Sequence, residues 1–122
     1  LKLLLKTDLS LIVLAGFLLK MPKKIVYHFE NKIINIHPAL LPSYGGKGMY
    51  GMRIHKKVVE NNELYSGLTI HYVNQEYDEG AAVFQKKIKL SKNETPETLS
   101  KKILSLEHSI YPRVIEKILQ NE

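Results

Sequence analysis

The chain has 122 residues, 44% hydrophobic and 25% charged, with 18 basic against 12 acidic side chains and no cysteine. That composition is ordinary for one globular domain and excludes collagen, a disordered tail and a polytopic membrane protein. Without cysteine there is no disulfide scaffold, thiolate zinc site or cysteine nucleophile, and a reducing, cytoplasmic location is expected.

The net charge of +6 is spread along the chain. No dense basic block occurs, and no aromatic residues alternate with arginine along a strand. A nucleic-acid groove is therefore not expected. A basic surface that attracts anionic small molecules is the better reading.

The chain opens Leu1-Lys2-Leu3 and runs apolar to Leu19. Lys2 and Lys6 before an apolar run resemble a secretory signal. Asp8 interrupts that run, and Lys20, Met21 and Pro22 follow it in place of a small-x-small cleavage site. Leu11 to Leu19 is also far short of the roughly 20 residues that span a bilayer. The segment Leu9 to Ala15 reads instead as a buried strand ended by Gly16. Leu1 to Lys6 then reads as the tail of a preceding helix, so the chain is expected to start within a fold.

Pro22 suits a helix's first turn, and Ile25, Val26 and Phe29 would share one face of it. Lys32 to Ile36 reads as a second strand, stopped by Pro38 and Pro42. Ser43 to Gly51 contains four glycines and reads as a loop. Arg53 to Glu60 suits a helix ended by Asn61 and Asn62. Tyr65 to Val73 reads as a third strand, Asn74 to Gly80 as an acidic turn, and Ala81 to Leu90 as a fourth strand. Thr95 is placed to start a last helix, with Glu94 and Glu97 at its positive end. Leu99, Ile103, Leu106, Ile110, Val114 and Ile118 give that helix one apolar face, and Pro112 is expected to kink it. The order is that of an α/β domain.

Two stretches carry chemistry. In Asn35-Ile36-His37-Pro38, Asn35 and His37 point to the same side of an extended segment, about 7 Å apart. They lie where a strand gives way to a loop, the ligand edge of an open α/β sheet. An amide and an imidazole there can hold a carbonyl oxygen and stabilise charge developing on it. The alternative is a pair of polar residues finishing a strand. In Tyr77-Asp78-Glu79-Gly80, Asp78 sits on a turn from which a carboxylate can reach inward. Near His37 it would favour the charged imidazole and help remove a proton from an amine. The alternative is an acidic turn residue. His71 reads as a packed or hydrogen-bonded histidine, and His28 and His55 as surface residues. No histidine pair has metal spacing, so no metal is expected, and GGKG at 45–48 lacks the pattern of a phosphate loop.

LAGF at 14–17, NIHPALLP at 35–42, SGLTIHYV at 66–73, YDEG at 77–80 and EHSIYP at 107–112 follow in an order that resembles the folate-dependent formyltransferases. The GGKGMYG loop and EHSIYP resemble the branch that acts on glycinamide ribonucleotide. The resemblance runs from about Asp8 to Leu119. It implies a Rossmann-like formyltransferase fold: a mixed, mostly parallel sheet with flanking helices. Residues 1–122 would form a single catalytic domain lacking the amino-terminal β-α units that hold the ribonucleotide phosphate.

The implied reaction is transfer of a formyl group from 10-formyltetrahydrofolate, as co-substrate, to the amine of glycinamide ribonucleotide in purine biosynthesis. Another folate-dependent N-formyltransferase, a formyltetrahydrofolate hydrolase, or a non-catalytic folate-binding fragment are the alternatives. The resemblance makes Asn35, His37 and Asp78 catalytic, with Thr69 supporting them. It assigns the folate to Leu18, Leu19, Lys20, Met21, Asn35, Asn74, Gln75, Glu76, Tyr77 and Asp78. It assigns the ribonucleotide to Leu104, Ser105, Leu106 and Glu107. Partners are thus small molecules, with no nucleic acid and no membrane. A sheet edge left open by the absent units would suit a homodimer or a complementing chain.

Overall fold

The computed structural model describes residues 12–15 (main chain), 32–73 and 82–120. Its elements in order are strand β1 (Ile12–Ala15), strand β2 (Ile33–His37), helix α1 (Met52–Glu60), strand β3 (Tyr65–Tyr72), strand β4 (Ala82–Lys89) and helix α2 (Pro96–Gln120). The helix expected after Pro22, the turn at 74–80 and the segment before Ile12 lie outside the described residues.

The four strands form one sheet in the order β1-β2-β3-β4. The sheet is mixed, as expected, but parallel pairing does not predominate among the described strands. Among the described strands, β1 runs parallel to β2, whereas β2–β3 and β3–β4 are antiparallel. Strand β2 is shifted by one residue from the expected Lys32–Ile36. His37 still pairs across from Thr69, and Pro38, which has no N–H to donate, ends the ladder.

All five residues of β2 are buried, so this strand is covered on both faces. On one face Ile34, Ile36, Leu68 and Ile70 pack against Tyr111 and Val114 of α2. A second cluster joins Ala39, just past β2, to Ile54 and Val58 of α1 and to Leu99 and Ile103 of α2. Each fully buried Ile or Leu contributes about 1.5–3 kcal/mol of transfer free energy. The first cluster fixes β2 against α2 and the second fixes the turn after it against both helices, which together hold the end of β2 where the polar residues lie.

Helix α2 runs through Pro112 as one element. The proline removes one main-chain hydrogen bond, but Tyr111 and Val114 on either side of it are buried, and their packing holds the helix together. At its start, Thr95 Oγ accepts from the Thr98 N–H at 3.1 Å, the expected cap. Burial pushes the Glu94 carboxyl up. Hydrogen bonds from Lys102, Thr98 and the Ser91 N–H outweigh that effect and hold its pKa at about 2. Strand β4 is an edge among the described strands, and its exposed Lys86, Lys87 and Lys89 discourage a further strand from pairing there.

Candidate active site

Alternation along β2 sends Ile34 and Ile36 toward α2, and Asn35 and His37 to the opposite face. The cross-strand partners extend that second face. Asn35 stands opposite His71, His37 opposite Thr69, and Thr69 opposite Gln85. The polar row is therefore built from three adjacent strands.

Asn35 and His37 are both buried, at 9% and 4% exposure. Asn35 Oδ1 has no hydrogen-bond partner. A buried acceptor left open costs about 1–3 kcal/mol, and such orphans mark sites that a ligand completes. The His37 ring is oriented from the loop: its Nε2–H donates to the Tyr44 carbonyl at 2.8 Å. Tyr44 itself has φ of 57°, a left-handed conformation uncommon in a non-glycine residue. Its hydroxyl accepts from Asn61 Nδ2 at 2.9 Å, which ties the loop to the end of α1.

Thr69 is fully buried, and its hydroxyl is saturated. It donates to the Ala39 carbonyl at 2.7 Å and accepts from the Leu41 N–H and from Gln85 Nε2, both at 3.0 Å. These bonds fasten the turn that follows His37, which includes a cis Leu41–Pro42 bond. Thr69→Val keeps the shape and leaves those groups unpaired. The expected loss is about 2–3 kcal/mol in urea unfolding, with Thr69→Ser close to wild type; an unchanged midpoint for the valine variant would contradict this role.

His55, expected at the surface, is instead buried at 4% exposure. The signal was present: Ile54, His55 and Val58 form the inward face of α1, and His55 lies one helical turn before Val58. Its Nδ1 has no partner. Burial, and secondarily the neighbouring charge of His37, lower its pKa from 6.5. The unfolded chain then binds more protons than the folded one below pH 6.5. Stability from this group is full above about pH 6.5 and falls as the solution is acidified toward the lower folded value. Urea midpoints of wild type and His55→Phe between pH 8 and 5 should therefore differ in slope, the variant being flatter; parallel curves would refute the assignment.

Beside the end of β2 lies a cavity of about 500 Å³. Ile36 forms one wall, and Leu104, Glu107, His108, Tyr111, Pro112 and Ile115 of α2 form the other. Glu107 is half-buried, and burial raises its pKa. Of the four residues expected to hold the ribonucleotide, Leu104 and Glu107 line this cavity. Leu106 packs against the β2–β3 core instead, and Ser105 is exposed. Helical geometry explains the division, since positions three apart share a face whereas intervening ones turn away. Asp78, Asn74 to Tyr77 and Leu18 to Met21 lie outside the described residues.

A buried amide and imidazole end β2 on one face, and a largely apolar cavity with one carboxyl group lies on the other; the first can polarise a carbonyl and the second can seat a polar substrate. The chain matches the family described as formyl transferase over residues 2–115, and it belongs to that family. It is 45% identical over 115 residues to the chloroplastic phosphoribosylglycinamide formyltransferase of Arabidopsis thaliana, covering 94% of this chain and 39% of that one. It is 36% identical over 112 residues to phosphoribosylglycinamide formyltransferase of Bacillus subtilis, covering 92% and 55%. The crystal structure of the Anaplasma phagocytophilum phosphoribosylglycinamide formyltransferase superposes with a TM-score of 0.87 at 36% identity, over 98% of this chain and 56% of that one. The chain thus shares the Rossmann-like formyltransferase fold and spans about half the length, or less, of these relatives. Among the described residues no helix is long and apolar enough to cross a membrane.

Proposed function

We propose that the chain carries the catalytic segment of a formyl transfer from 10-formyltetrahydrofolate to the amine of glycinamide ribonucleotide. The observation that carries this reading is that one strand end bears the buried Asn35 and His37 on one face and, on the other, Ile36 at the wall of the cavity that Glu107 also lines. One strand supplies both: alternate side chains of β2 serve the reacting carbonyl and the acceptor's seat.

In this reaction the acceptor amine attacks the formyl carbon, and a carbon–nitrogen bond forms. The resulting tetrahedral centre carries a developing oxyanion, which the Asn35 amide and the His37 imidazole stabilise. The bond from that carbon to folate N10 then breaks. The amine gives up one proton and N10 gains one, so the exchange balances without a metal or an oxidant. Asp78 is assigned the proton removal from its place in YDEG. Glu107, at the cavity wall, would accept hydrogen bonds from the hydroxyls of a sugar. Leu18 to Met21 and Asn74 to Asp78 are assigned the folate on the same motif order.

The relatives' printed names support the acceptor assignment, and the exposed basic surface suits two anionic substrates. The test supplies labelled 10-formyltetrahydrofolate with glycinamide ribonucleotide, an aminosugar nucleotide, or water alone as acceptor. Label is expected on glycinamide ribonucleotide. Formate release alone would instead indicate a hydrolase, and label only on the aminosugar nucleotide would indicate a different N-formyltransferase.

A further inference from the structure

His37, Thr69 and Gln85 stand in one row across β2, β3 and β4. Gln85 is exposed on β4, yet its amide is fully directed. Gln85 Nε2 donates to the Leu41 carbonyl at 2.8 Å and to Thr69 Oγ at 3.0 Å. The polar groups of the turn are fastened in sequence. The Ala39 N–H returns to the His37 carbonyl at 2.9 Å, the Ala39 carbonyl and Leu41 N–H are held by Thr69, and the Leu41 carbonyl is held by Gln85. Three residues beyond Leu41, the Tyr44 carbonyl takes the Nε2–H of His37. Between them the Ser43 N–H donates to the Leu40 carbonyl at 3.0 Å, so the Leu41 carbonyl anchors the turn from which the Tyr44 carbonyl reaches the imidazole.

We propose that Gln85 is a positioning residue for His37, acting through the Leu41 carbonyl and the Tyr44 carbonyl rather than by touching substrate. The proposal deepens the formyl-transfer reading and rests on it for its kinetic consequence. A solvent-facing amide with no such role would not need two acceptors at these distances, nor would it stand in register with the imidazole it serves. With the Leu41 carbonyl released, the turn can shift against its remaining ties at Ser43 and Asn61 and move the Tyr44 carbonyl off the position that holds the ring in one orientation. Misplacing a reacting group by about 1 Å can cost up to 10²-fold in rate.

Gln85→Met keeps the reach of the side chain and removes both donors, and Gln85→Glu does so with a more polar head. Long-range 1H–15N spectra of the His37 imidazole read its tautomer in the intact chain, with or without turnover. Thermal melts and formyl-transfer kinetics accompany them. In both variants the Nε2-protonated form of His37 should lose its dominance, and kcat should fall about 10-fold with KM for folate within twofold. Wild-type nitrogen shifts in the variants, with kcat unchanged, would overturn the proposal even if the melting temperature falls. If Gln85→Met does not fold, the readings on Gln85→Glu decide. If wild type transfers no formyl group at all, the formyl-transfer reading fails, and the nitrogen shifts alone decide whether Gln85 positions His37.

Discussion

His37→Ala should lower formyl transfer by roughly 10²- to 10⁴-fold while leaving the chain folded. The ring is buried at 4% exposure, but it belongs to neither apolar cluster, so its removal takes little from the core. The loss should fall on kcat, because a group that stabilises charge in the tetrahedral state contributes little to ground-state binding. Asn35→Ala should behave in the same direction. If both side chains act on one developing oxyanion, the double variant should be only slightly worse than the poorer single variant. Fully multiplicative losses would mean that they act on separate steps. Retention of near-wild-type rates by His37→Ala, with the fold intact, would remove the imidazole from the mechanism.

Gly67→Ala should be the most damaging small substitution in the sheet. A Cβ at Gly67 would lie 1.9 Å from the Lys86 carbonyl oxygen and 2.8 Å from Leu40 Cδ2. The first neighbour is main chain of the paired strand and cannot turn aside. The β3–β4 pairing must therefore open locally, with an expected cost of about 3 kcal/mol or more, at or beyond the upper end for overpacking. The second neighbour belongs to the turn after His37, so the disturbance reaches the site. Urea unfolding should show a large drop in midpoint, and activity per folded molecule should fall as well. A midpoint within about 0.5 kcal/mol of wild type, the usual range of neutral surface changes, would contradict the close approach.

Much of this architecture was readable from local patterning. The short apolar stretch before Pro38, the β-rich stretches around Leu68 and Phe84, and the three- and four-residue spacing from Leu99 to Ile118 each have one stable solution in an α/β domain. The shared side of Asn35 and His37 follows from strand alternation alone. His55 was misjudged because polarity was weighed ahead of position; its place beside Ile54 on the inward face of α1 outweighs its polarity. The Tyr44 contact is a different case. It depends on a carbonyl, which every residue has, and on a left-handed φ at a tyrosine, so side-chain chemistry gives no sign of it. Gln85 is likewise ordinary by type and becomes informative only through its register with Thr69 and His37. In the segment that the motif assigns to the ribonucleotide, helical geometry places Leu104 and Glu107 at the cavity and turns Ser105 and Leu106 away from it.

The opposing burial effects at His55 and Glu107 also separate in pH. His55 contributes stability that is lost on acidification below its unfolded value, whereas the raised pKa of Glu107 contributes stability below its unfolded value and loses it as pH rises through the folded one. A sugar hydroxyl that donates to Glu107 would favour its ionised form.

The central claim is that the acceptor occupies the cavity between Ile36 and α2, at the end of the strand that carries Asn35 and His37 on its other face. Isoleucine methyl spectra test it most directly, since Ile36 and Ile115 line the cavity while Ile54 and Ile103 belong to the other cluster. Adding glycinamide ribonucleotide at millimolar concentration should move Ile36 and Ile115 and leave Ile54 and Ile103 in place. Unmoved Ile36 and Ile115 signals at saturating formyl acceptor, or shifts confined to Ile54 and Ile103, would contradict the account.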